Sequence, residues 1–176
     1  MKPTKSTIPR LRTLTASCVL AAATSGALAQ GSSTFSIKLM TPETAFAAAR
    51  AAFDDCRRQG FQVTVAVVDR FGILQVLLRD RFAGAHTVGV ASDKAWTAAS
   101  FRTASASLGE ETQAGKPMSA LRTHPRVLAA GGGQVIESGG SVLGAIGVSG
   151  GPGGDADDSC ARAGIRAITD ALELLG

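Results

Sequence analysis

Two apolar stretches, VTVAVVD (63–69) and ILQVLLRD (73–80), are separated by only RFG (70–72). Runs rich in Val, Ile and Leu at this length read as strands. Parallel strands need a crossover of a dozen or more residues, so these two must form an antiparallel hairpin. Val63, Val65 and Val67 share one face, and Ala66 and Val68 the other. Both faces therefore call for cover, and the rest of the chain must supply it.

TPETAFAAARAAFDDCRRQG (41–60) predicts a helix. Thr41 suits the cap, Pro42 the first turn and Gly60 the stop. Phe46, Ala49, Phe53 and Cys56 follow helical spacing and predict the apolar face, while Arg50, Asp54 and Arg58 mark a solvated one. HTVGVASDKAWTAASFR (86–102) predicts a second helix, with Thr87 as a cap and Val90, Lys94, Ala98 and Phe101 on one stripe. A short helix is expected near PMSALR. RVLAA (126–130), GQVIES (133–138) and SVLGAIGVS (141–149) read as three more strands, the last two joined by Gly139-Gly140, a two-residue hairpin turn. DADDSCARAGIRAITDALELL (155–175) predicts a final helix that buries Gly164, Ile165, Ile168, Leu172 and Leu175. The order is α-β-β-α-(short α)-β-β-β-α. That predicts an α/β (α+β) domain: an antiparallel sheet of about five strands covered by N- and C-terminal helices and a central helix. The alternating βαβ series of a dinucleotide fold is absent.

Residues 1–29 differ from the rest. Lys2, Lys5, Arg10 and Arg12 precede a short apolar run that ends Ala27-Leu28-Ala29. This pattern predicts a secretory signal peptide cleaved near Ala29, leaving one domain over 30–176 in the periplasm or outside the cell. A lipoprotein signal at TASC (15–18) fits less well, because Thr15 opens it poorly. The whole chain carries 18 basic and 14 acidic residues. Without the leader's four basic residues the balance is 14 to 14, so nothing in the remainder predicts a nucleic-acid partner. Of the cysteines outside the leader, Cys56 and Cys160, both fall on apolar helix faces. An exported chain allows them to pair; their placement favours two buried free thiols.

GGGQVIESGGSVLGAIGVSGGPGGD (131–155) holds eleven of the chain's 21 glycines. It lacks GxxxxGK[ST], so it is not a Walker loop. SGGPGGD (149–155) opens the last helix, where free amides meet anions. Yet Asp155, Asp157 and Asp158 occupy that turn and answer the helix dipole themselves. GxSxG, zinc spacing and EF-hand spacing are absent. The candidate ligand-binding groups are His86, Thr87, Lys94 and the backbone around Ser149, Gly150 and Gly151. Lys94 on an apolar stripe either snorkels to solvent or holds an acidic group in a pocket. The other histidine, His124, precedes Pro125 in a loop.

LRDRFAGAHTVGVASDKAWTAASFR (78–102), the glycine run and DDSCARAGIRAI (157–168) together resemble the GlcG/HbpS family of haem-binding and haem-degrading proteins. That family also includes domains attached to cobalamin adenosyltransferases. The resemblance runs from about residue 38 to the C-terminus. It implies a profilin-like or PAS-like sandwich, self-assembly into a homo-oligomer, and the extracellular haem binding of some exported members. It carries over no iron ligand. His86 is a candidate from its own chemistry, since imidazole suits haem iron; Lys94, Arg102 and loop amides are candidates for the haem carboxylates. A binding protein or enzyme for a small organic acid, using Lys94 and His86, and an assembly unit without a ligand are the alternatives.

Overall fold

A computed structural model describes residues 33–174; the expected signal peptide and Leu175 lie outside them. The elements belong to one unit that begins at Ser36. Helix α1 spans Pro42–Arg58, and Thr41 caps it by accepting the Thr44 amide at 3.2 Å. Strands β1 (Thr64–Asp69) and β2 (Leu74–Arg79) form the hairpin, whose turn is tied when Asp69 Oδ1 accepts the amides of Phe71 and Ile73. Helix α2 (Thr87–Phe101) and helix α3 (Ser105–Glu111) follow, then a 3₁₀ turn at Ser119–Thr123. Strands β3 (Gly133–Ser138) and β4 (Ser141–Ser149) make the second hairpin, and helix α4 covers Gly154–Leu174. Gly139 and Gly140 both take positive φ, as their two-residue turn demands.

The sheet is antiparallel throughout, in the order β2-β1-β4-β3. It has four strands rather than about five. RVLAA (126–130) is not a strand because its backbone is satisfied elsewhere. The Leu128 amide donates to Thr97 Oγ1, the Thr97 hydroxyl donates to Arg126 O, and Ser105 Oγ donates to Ala130 O. Helices α2 and α3 thus take the hydrogen bonds that a neighbouring strand would have used.

Two cores lie on opposite faces of the sheet. On one, α1 and α4 cover Val65, Val67, Ile146 and Val148. On the other, α2 covers Ala66, Val68 and Ala145 with Ala91, Ala95 and Ala98. The second core is almost all alanine, so α2 lies close to the strands. A Cβ at Gly147 would strike the carbonyl oxygen of Ala91, and one at Gly164 would come within 2.6 Å of Ala48 O between α4 and α1. Both glycines are there for close approach of backbones.

The buried face of α1 is Ala45, Ala48, Ala49, Ala52, Phe53 and Cys56. Phe46, expected on that face, is 51% exposed. Ala49, Phe53 and Cys56 are buried as expected, and Ala45 takes the place expected of Phe46. Cys56 and Cys160 are a disulfide, with Cα atoms 5.5 Å apart, rather than two free thiols. Both lie on apolar faces as expected, but those faces meet where α1 packs on α4. The bridge closes a sequence separation of 104 residues. Unfolding in urea with a reductant present is expected to cost about 2–5 kcal/mol of stability relative to the oxidised protein. Equal urea midpoints in the two conditions would show that the bridge adds nothing.

Candidate functional site

The site forms where β1 begins and β4 ends. Thr64 and Ser149 are register partners there. The Thr87 hydroxyl donates to Gly84 O at 2.6 Å, so its contact with Thr64 Oγ1 at 2.7 Å is one in which Thr64 donates. This buried pair fixes the start of α2 against β1. His86 sits at the cap position, exposed, and makes no capping hydrogen bond. Its ring lies over Gly84, where a Cβ would meet Nδ1 at 2.8 Å.

A cleft of about 570 Å³ opens at this corner. Its walls are Phe61 and Gln62 after α1, Phe82, Gly84, His86 and Thr87 where α2 begins, Ser149 to Pro152 ahead of α4, and Asp157 in the first turn of α4. The structure therefore brings together His86, Thr87, Ser149, Gly150 and Gly151. It leaves out Lys94. That ammonium is buried behind the corner, donating to Asp157 Oδ2 at 2.7 Å and to Val148 O at 3.0 Å. It neither snorkels nor reaches the cleft, because the Asp157 carboxylate is buried beside it and takes the charge. Arg102, exposed in a left-handed C-cap, is at the opposite end of α2, about 24 Å along the axis from His86. His124 is elsewhere too, stacked on Trp96 at 5.3 Å between centroids.

The two carboxylates of α4 explain the glycine run. Asp157 Oδ1 accepts the Gly151 amide at 2.9 Å, and Asp158 Oδ1 accepts the Gly132 amide at 2.6 Å and Gln134 Nε2 at 2.7 Å. The chain thus fills its own anion cradles. Gly132, with φ +117, also lies where any Cβ would meet Lys94 Nζ at 2.8 Å.

Beside the cleft, Arg57 Nε donates to Asp80 Oδ2 at 2.6 Å. Asp80 is nearly buried. That hydrogen bond is the main reason its carboxyl sits below the usual range; burial pushes the other way, and the Arg57 charge and the amides of Arg81 and Phe82 add to the lowering. Sequence reasoning missed this pair and the aromatic wall of Phe61 and Phe82. The compact RDRF at 79–82, charges alternating with an aromatic just past a strand, was the available signal.

Residues 40–166 match the model of the family described as "Haem degrading protein HbpS-like". The chain belongs to the HbpS-like family. A double mutant of Streptomyces reticuli HbpS is 31% identical, covers 91% of this chain and 99% of its own, and superposes with a TM-score of 0.73. A PduOC–haem complex is 29% identical over 74% of this chain and 96% of that one, with a TM-score of 0.71. The corrinoid adenosyltransferase PduO of Salmonella typhimurium is 32% identical over 121 residues, 68% of this chain. The chain spans 36% of that curated relative's length. The HbpS-like fold and the relation to PduO, expected from the three motifs, are thus established, while the corrinoid adenosyltransferase named for the whole relative belongs to a chain much longer than this one.

Two consequences are measurable. Lys94→Met or Asp157→Asn alone is expected to cost about 3–5 kcal/mol in urea unfolding, because each leaves a buried group unpaired. A Lys94→Met/Asp157→Asn double variant should lose much less than the two single losses combined; strict additivity would show that the two groups are not coupled. Asp80 predicts a pH effect. A depressed carboxyl stabilises the fold above its unfolded value, near pH 4, and that contribution fades as pH falls through the folded value. The stability gap between wild type and Asp80→Asn should therefore narrow as unfolding is repeated from about pH 6 down to pH 2. A constant gap would rule the pair out as its source.

Proposed function

We propose that the chain is an exported haem-binding protein that takes haem in the cleft beside His86. The observation that carries this is the exposed imidazole at the rim of an aromatic-walled cleft, in a family with a solved haem complex. The cleft's volume lies in the usual range for small-molecule sites, about 300–1,000 Å³. Phe61 and Phe82 offer apolar surface for a flat ring, and the His86 ring has no capping duty to give up. Bound haem would supply an iron, and His86 is the residue that would hold it through its imidazole. Thr87, held by Thr64 and Gly84, keeps the first turn of α2 and hence His86 in place. Ser149, Gly150 and Gly151 form the opposite wall.

Export is supported by the leader pattern of residues 1–29 and by the Cys56–Cys160 bridge, since disulfides persist in oxidising compartments. Among the described residues no helix is long and apolar enough to cross a membrane. Self-association is part of the proposal, supported by exposed Phe71, Ile73 and Leu74 at one edge of the sheet. The small-acid alternative is less well supported, because Lys94 is held by Asp157. Haemin titrated into the purified protein should give a saturable Soret change at micromolar concentration, and His86→Ala should shift that spectrum. Absence of saturable binding would reject the function; an unchanged spectrum in His86→Ala would reject the ligand alone.

A further inference from the structure

A second hollow, of about 230 Å³, adjoins the cleft and shares Gly60, Phe61, Gln62 and Phe82 with it. What it adds is charge: Arg57, Asp80 and Arg81. Arg57 and Asp80 offset each other through the Nε bond, and that bond fixes the guanidinium in place. Among the described residues the Arg57 guanidinium donates only through Nε, and its Cζ lies 4.4 Å from the Phe53 ring centroid. Arg81 makes no ion pair among the described residues. It lies 5.8 Å from the ring centroid of Phe82, one of the residues common to both hollows. The compartment therefore joins a half that carries His86 and the rings of Phe61 and Phe82 to a half with one uncompensated cation. A guanidinium presents several N–H donors in a planar fork that matches a carboxylate.

We infer that Arg81, with Arg57 beside it, is the carboxylate-binding rim of the haem cleft and selects porphyrins with free propionates over their neutral esters. This rests on the haem reading above and assigns the role that Lys94 and Arg102 cannot fill. A flat apolar body would lie on the Phe61 and Phe82 side, and its acidic edge would face the arginines. Arg81 is exposed and contributes to no core, so its substitution leaves the fold intact. Arg57 is unsuitable for the test, since removing it would strand the buried Asp80 carboxylate.

The experiment titrates wild type, Arg81→Gln and Arg81→Lys with haemin and with haemin dimethyl ester, followed by Soret absorbance and Trp96 fluorescence. Loss of a charge-assisted pair predicts that Arg81→Gln weakens haemin binding about tenfold and ester binding by less than about twofold. Arg81→Lys should recover most of the haemin affinity. An unchanged haemin affinity in Arg81→Gln would overturn the assignment. Equal weakening of both ligands would also overturn it, because that pattern belongs to lost packing on Phe82. If wild type binds neither ligand, the haem reading itself falls and this assignment falls with it.

Discussion

The contact between Lys94 and Asp157 joins three elements. Lys94 comes from the middle of α2, Asp157 from the first turn of α4, and Val148, whose carbonyl takes a second ammonium hydrogen, from the end of β4. These lie on opposite sides of the sheet, so the ion pair passes around its end and fixes both layers to it. Asp157 then holds the Gly151 amide with its other oxygen. The corner that walls the cleft is thus set by a charge pair whose acid, Asp157, lines the cleft while its base, Lys94, stays behind it. Desolvating two ions is costly, and what offsets it here is that each has further polar partners.

The rest of the architecture follows from how near α2 comes to the strands. Its contact face is alanine, and the strands meet it with Ala66, Val68, Ala145 and Gly147. Such a face buries little apolar area per residue, but it brings the buried lysine within reach of Val148 O. The opposite face uses larger side chains, such as Ile146, Ile168 and Phe53. One side of the molecule supplies most of the hydrophobic stabilisation and the other positions the site.

Elements with strong periodicity were legible in the sequence. The hairpin of β1 and β2, the caps of α1 and the Gly139-Gly140 turn all rest on local rules, and the structure follows them. What escaped was non-local. RVLAA has strand composition, but Thr97 and Ser105, distant in sequence, claim its backbone. Phe46 obeys the helical spacing yet faces out, because a face of alanines gives no strong signal of its direction. Lys94 was singled out as an oddity on an apolar stripe, and nothing local could reveal that its partner lay 63 residues away. His86, Thr87 and the 149–151 backbone were brought together because each is at the end of an element, and those ends converge where β1 begins.

The bridge between Cys56 and Cys160 also bears on the order of assembly. Its two cysteines belong to the first and last helices, and everything between them, the whole sheet and α2 included, lies inside the loop it closes. Both sulfurs are buried between α1 and α4 in the finished fold. Native pairing therefore requires the last helix to have reached the first. Oxidation then acts as a latch on a completed chain, and a truncated or half-docked molecule keeps its thiols open to other partners.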